Sequence, residues 1–117
     1  MNNLSGIDIA IAAARAMDDK KADDVQILRM SRMMVETDYF VICSCMSFPQ
    51  MQSITQAVRE AMEQLNVKLR RQEGRSNNQW ILLDYGEVVA HIFLASERQY
   101  YNLEKLWADA ERIPFKK

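Results

Sequence analysis

Few residues in this chain of 117 have side chains that could perform chemistry, and their spacing argues against most of the possibilities. Cys43 and Cys45 lie two positions apart in a nearly continuous apolar run, so on a strand both point to one face. A zinc site needs about four Cys or His ligands, and His91 is the only histidine. We expect buried core cysteines, with a redox role as the alternative, because a reactive thiol needs exposed, electropositive surroundings.

The remaining candidates for catalysis surround a predicted turn at Gly86. His91 lies within an apolar strand, where a single histidine is more often a hydrogen-bonded core residue than a catalytic one. Asp84 and Glu87 flank the turn, but paired carboxylates hold magnesium only where they converge on a phosphate. The chain contains neither a phosphate loop nor a Gly-x-Ser-x-Gly motif. The sequence therefore predicts no catalytic residue, no metal and no cofactor, and leaves Asp84 as a turn residue or a recognition residue.

The aromatic residues indicate binding rather than catalysis. Trp80, Leu82 and Asp84 share one face of a predicted strand, and Tyr85 follows at a turn that does not require an aromatic ring. We expect exposed Trp80 and Tyr85 beside Asp84 to form a partner-binding hot spot, with Leu82 and Tyr101 as further members. The alternative is that these rings belong to the core.

Charge and hydropathy limit the possible partners. The 15 Lys and Arg residues against 16 Asp and Glu give a formal net charge of −1, so we expect no autonomous nucleic-acid-binding module and no DNA binding. A local basic patch either protects a strand edge or makes a minor contact with RNA; it comprises Lys68, Arg70, Arg71 and Arg75. No apolar run approaches the roughly 18 residues of a membrane span, and no secretory or transit peptide is recognisable. We expect one soluble, cytoplasmic domain over 1–117.

The hydrophobic pattern predicts the α/β fold that would position these residues. Apolar residues recur at helical spacing after the predicted N-caps Ser5 and Ser47, and again from Glu97. Two apolar runs joined around Gly86 predict a hairpin. Strands are predicted at 25–30, 39–46, 67–72, 80–84 and 88–93. The expected architecture is a single mixed five-stranded sheet covered by helices.

Three ordered blocks of the sequence resemble one known family. They are Thr37-Asp-Tyr-Phe-Val-Ile-Cys-Ser44, Trp80-Ile-Leu-Leu-Asp-Tyr-Gly-Glu-Val-Val-Ala-His-Ile-Phe93 and Arg98-Gln-Tyr-Tyr-Asn-Leu-Glu-Lys-Leu-Trp107. These blocks are similar to those of the ribosome silencing factor family, also called Iojap-like, and the resemblance covers about residues 7–110. Three departures are small: Cys45 replaces a usual Gly, Glu87 a common Asp and Ala90 a common Val.

The resemblance implies a translational repressor and not an enzyme. Proteins of this family are expected to bind the large ribosomal subunit through ribosomal protein L-fourteen and to block joining of the small subunit, which lowers protein synthesis when nutrients are short. It also implies a sheet related to nucleotidyltransferases without their catalytic carboxylates, and a homodimer when the protein is free. Two alternatives stay open: a nucleotidyltransferase-like enzyme with a displaced or degenerate active site, and a structural dimer without ribosome contact.

Overall fold

A computed structural model describes residues 5–30, 36–74, 79–96 and 110–115 of the chain. This part of the chain forms two helices and six strands. In chain order they are α1 (Gly6–Asp19), β1 (Asp23–Arg29), β2 (Tyr39–Cys45), α2 (Phe48–Gln64), β3 (Arg71–Glu73), β4 (Trp80–Asp84), β5 (Val88–Leu94) and β6 (Glu111–Ile113). The helix predicted from Glu97 lies outside the described residues.

The strands form one mixed sheet in the order β3-β4-β5-β2-β1-β6. All neighbours are antiparallel except β2 and β5, which are parallel. The mixed sheet is confirmed, but the predicted number of five strands is wrong, because β6 adds a sixth, with Ile113 opposite Ile27. Two of the three residues in β6 are charged, so the segment has no hydrophobic signal and becomes a strand only by pairing with β1.

Both predicted helix N-caps are confirmed. The Ser5 backbone N–H donates to the Asp8 carboxylate at 3.3 Å at the start of α1. At the start of α2, the Ser47 hydroxyl oxygen accepts from the Gln50 backbone N–H at 3.2 Å. The Gln50 side-chain amide also donates to the Lys20 carbonyl oxygen at 3.3 Å, so this residue links the beginning of α2 to the end of α1.

The sheet has two buried faces. The helix face packs against α1 and α2 in the larger core cluster, which includes Val41, Cys43, Ile81, Leu83 and Ile92. The opposite side, called the second face, forms a smaller cluster of Leu28, Met30, Phe40, Ile42, Val89, Phe93 and Ala110. All seven positions of β2 are buried, as its nearly continuous apolar run predicted for a central strand.

Candidate functional site

The hairpin of β4 and β5 is closed by a turn that depends on Asp84 and Gly86. The Gly86 backbone N–H donates to Asp84 Oδ1 at 2.8 Å, and the Tyr85 backbone N–H donates to the Val88 carbonyl oxygen at 2.9 Å. Gly86 has φ +88°, a left-handed conformation that favours glycine. The predicted hairpin is therefore confirmed, and Asp84 forms part of the turn itself.

Trp80 and Leu82 lie together on the second face, as the alternation of β4 predicted. Both are partly buried against the smaller core cluster, so part of each side chain stays accessible to solvent. The Trp80 ring stacks on the Phe93 ring with centroids 4.9 Å apart. The hairpin thus presents a partly exposed indole, and the stacked Phe93 ring on the neighbouring strand restricts its movement.

The expectation that Tyr85 is exposed is wrong. Only 8% of Tyr85 is accessible, and it packs on the helix face with Ile81 and Leu83, because the two-residue alternation of β4 continues past the end of the strand. Its hydroxyl has no hydrogen-bond partner among the described residues, and burial raises its pKa to about 12. Tyr85 therefore packs beneath the hairpin on the helix face and is not part of the exposed surface.

Asp84 is partly buried and ion-paired. Its side chain is 24% exposed, and its Oδ2 lies 3.6 Å from the Arg71 guanidinium on the neighbouring strand. Arg71 also pairs with Glu73 at 3.2 Å, so part of the predicted basic patch is neutralised locally. Tyr101 and Arg75 lie outside the described residues. The structure thus brings Trp80, Leu82 and Asp84 together on β4.

His91 is a buried partner of Trp80. The Trp80 indole N–H donates to His91 Nδ1 at 3.1 Å, and the two residues are diagonal neighbours on β4 and β5. His91 is 3% exposed, and burial lowers its pKa to about 4, so the imidazole is neutral near pH 7. Because Nδ1 accepts, the proton is on Nε2, which has no hydrogen-bond partner in the described part of the chain. The sequence predicted a hydrogen-bonded core histidine but did not identify Trp80 as its donor.

We expect acid to destabilise the protein through His91. Burial lowers the pKa of this histidine from 6.5 to about 4, so the unfolded chain takes up a proton at higher pH than the folded chain. Stability is therefore lost as the pH falls from 6.5 towards 4, by roughly 3 kcal/mol from this group. Urea unfolding at a series of pH values measures the loss. The variant His91→Leu should lack this part of the pH dependence; an identical slope in both proteins would contradict the assignment.

The cysteines are core residues, as the main interpretation predicted. Both are fully buried on the helix face. The Cys45 thiol donates to the Phe93 carbonyl oxygen at 3.4 Å, and burial raises its pKa to about 11, which disfavours the reactive thiolate.

Among the described residues, no group of three or more His, Cys, Asp or Glu side chains is placed to hold a metal ion. No described helix is long and apolar enough to cross a membrane.

Comparison with known sequences decides the family. The family described as "Ribosomal silencing factor during starvation" matches residues 4–117. The chain belongs to this family. It is 41% identical over 110 residues to the ribosomal silencing factor of Bacillus subtilis, a match that covers 94% of this chain and 91% of that protein.

One solved structure and one further sequence are also similar to this ribosome silencing factor. A crystal structure of a Chromobacterium violaceum protein matches with a TM-score of 0.86 at 25% identity, and covers 97% of this chain and 94% of that chain. A mouse protein named "Mitochondrial assembly of ribosomal large subunit protein 1" is 30% identical over 107 residues, covering 86% of this chain and 44% of that protein.

Membership of the ribosome silencing factor family establishes the general role. The protein has a ribosome-associated silencing role and a ribosomal partner, and the family is regulatory and not enzymatic. The interpretation as an enzyme with a displaced active site is therefore set aside.

Proposed function

We propose that this protein represses translation by binding the large ribosomal subunit through ribosomal protein L-fourteen and blocking the small subunit from joining. The observation that carries the proposal is the partly exposed indole of Trp80, held by Phe93 and His91 on a central hairpin. A rigid, partly exposed tryptophan is typical of the anchor residues that dominate protein interfaces. The name of the mouse relative, which refers to the large subunit, agrees with this choice of subunit.

The proposed contact is the hairpin surface, defined as Trp80, Leu82 and Asp84. Binding to a partner costs free energy when side chains must be immobilised. The stacked and hydrogen-bonded indole of Trp80 has already lost most of that freedom in the unbound protein. Tyr101, predicted from the sequence, stays a proposed member of the contact, whereas Tyr85 acts by supporting the turn.

Charge around the turn favours a basic partner. A surface depression of about 520 Å³ beside the hairpin surface is lined by four carboxylates and one guanidinium, from Glu36, Asp38, Asp84, Glu87 and Arg70. An acidic rim of this kind fits Lys and Arg side chains on a ribosomal protein and increases the association rate more than the affinity. The exposed residues Lys68 and Arg70 allow a minor contact with ribosomal RNA.

The mechanism is a binding competition in which no bond is made or broken. A protein seated on the joining surface of the large subunit occupies the space that the small subunit needs. A dissociation constant near ~10 nM corresponds to about −11 kcal/mol, which a few well-packed anchor residues with a satisfied polar rim supply. The action requires no cofactor, and we place it in the cytoplasm.

Binding to isolated L-fourteen tests the proposed contact. We expect purified L-fourteen and intact large subunits to bind this protein, and Trp80→Ala to weaken both interactions by the same factor. Phe48→Ala is the matched control, because Phe48 is 41% exposed in the first turn of α2. This helix covers the helix face, whereas Trp80 lies on the second face, so truncating Phe48 should change neither affinity. Binding to large subunits without binding to L-fourteen would contradict the proposed partner.

The proposed homodimer is tested by sedimentation of the free protein, which should show twice the monomer mass.

The charge of Asp84 is expected to contribute to binding. Asp84→Asn keeps an oxygen that can accept from Gly86 but removes the charge, so the turn stays intact and affinity for large subunits should fall about tenfold. Co-sedimentation at low salt measures the change. Glu73→Gln removes the other carboxylate paired with Arg71 and should leave affinity within about twofold. Unchanged affinity of Asp84→Asn would show that Asp84 is a turn residue only.

A further inference from the structure

We propose that His91 is a positioning residue that fixes the orientation in which Trp80 is presented to the ribosomal partner. This inference rests on the proposed function, because it assigns a role within the same binding surface. Because His91 is itself only 3% exposed, its role is to position Trp80 and not to contact the partner directly.

Two interactions with described residues define the orientation of the indole. Stacking on Phe93, with the ring planes inclined by 27°, sets the plane of the Trp80 ring. Stacking alone does not decide which edge of the indole points inward, because a ring turned over within the same plane packs almost equally well. The hydrogen bond of 3.1 Å from the indole N–H to His91 Nδ1 removes this ambiguity and directs the opposite edge outward.

The surroundings of His91 show what the imidazole adds. It lies edge-on to Phe40 with ring centroids 4.5 Å apart, and its diagonal and cross-strand neighbours on β4 are Trp80 and Leu82. The buried His91 Nε2 has no hydrogen-bond partner among the described residues, and a buried polar atom left without one costs free energy. Among the described residues, the His91 side chain makes one hydrogen bond, which Nδ1 accepts from the Trp80 indole.

A spectroscopic experiment tests the inference in the free protein, without ribosomes. His91 is the only histidine, and Trp107→Phe leaves Trp80 as the only tryptophan, so nitrogen-15 NMR signals from both rings are assigned directly. We expect His91 to carry its proton on Nε2, and the Trp80 indole N–H to exchange slowly with solvent. His91→Leu should shift this indole signal and accelerate its exchange by at least tenfold. A proton on Nδ1, or an indole signal unchanged by His91→Leu, would overturn the inference.

A matched pair of variants separates positioning from mere stability. Asparagine and leucine have similar size and shape, but only asparagine offers an acceptor near the position of Nδ1. The buried amide should make His91→Asn the less stable variant, because it brings unpaired donors into the core. Positioning predicts the reverse order for binding: His91→Asn keeps affinity for large subunits within about threefold, whereas His91→Leu loses about tenfold. Affinities that follow stability would overturn the inference.

Failure of the inference and failure of the proposed function give different results. If Trp80→Ala weakens binding but His91→Leu does not, the positioning role is wrong and the Trp80 contact stands. If Trp80→Ala binds normally, the contact on which both depend is wrong. Should His91→Leu fail to fold, Trp80→Phe replaces it, because it keeps a stacked ring and removes the donor. Affinity within twofold of the wild-type protein in Trp80→Phe would then overturn the inference.

Discussion

Replacing Trp80 with alanine should weaken binding to large ribosomal subunits by about a hundredfold or more. Truncating a strong anchor residue at the centre of an interface costs about 3–5 kcal/mol, which corresponds to a hundredfold or more in affinity. Tryptophan is among the residues most often found there. The partly exposed ring that stacks on Phe93 is the largest apolar side chain on the hairpin surface. Co-sedimentation of the purified variant with large subunits over a range of concentrations measures the loss.

The control for this prediction must separate lost contact from lost folding. Trp80→Ala also removes packing from the smaller core cluster and leaves His91 Nδ1 without its donor, so we expect the free energy of unfolding to decrease by about 2–4 kcal/mol. Circular dichroism and urea unfolding show whether the variant is still folded under the binding conditions. Affinity close to that of the wild-type protein in a folded variant would exclude Trp80 from the contact.

Repression should be stoichiometric and complete. A competitor for the joining surface silences at most one large subunit per bound molecule, so inhibition in a purified translation system should follow the ratio of this protein to free large subunits. The inhibition should weaken when small subunits are added in excess, or when complete ribosomes are assembled beforehand. Strong inhibition at far lower ratios would indicate turnover and contradict a binding competition.

Much of the fold follows from local sequence patterns. The nearly continuous apolar run of β2, in which Ser44 is the one polar residue, predicted a strand buried on both faces. Both helix N-caps were recognisable from a serine followed by an acidic or amide side chain three residues later. The hairpin at Gly86 followed from two apolar runs around a glycine. Each of these signals depends on neighbours within a few residues, so the sequence alone contains it.

Features set by distant pairing could not be predicted. The strand β6 is short and largely charged, and it exists because its backbone pairs with β1 more than 80 residues earlier. The hydrogen bond between Trp80 and His91 joins diagonal positions of the hairpin, which are fixed only once the register of β4 against β5 is known.

The candidate site was predicted in part. Trp80, Leu82 and Asp84 were assigned to one side of β4 from the two-residue alternation, and the structure places them together. Tyr85 was assigned to solvent because it follows the strand at a turn, yet the same alternation continues and buries it. Residue type alone does not decide the exposure of an aromatic ring, because its environment depends on what packs across the sheet.

The rate of subunit joining tests the central claim most directly. Large subunits saturated with this protein are mixed with small subunits, and light scattering follows the formation of complete ribosomes. We expect the bound wild-type protein to abolish subunit association. Association should recover only as this protein dissociates from the large subunit. Trp80→Ala at the same concentration should leave association unaffected. Association at the normal rate and to the normal extent, with the wild-type protein still bound to the large subunit, would contradict the account.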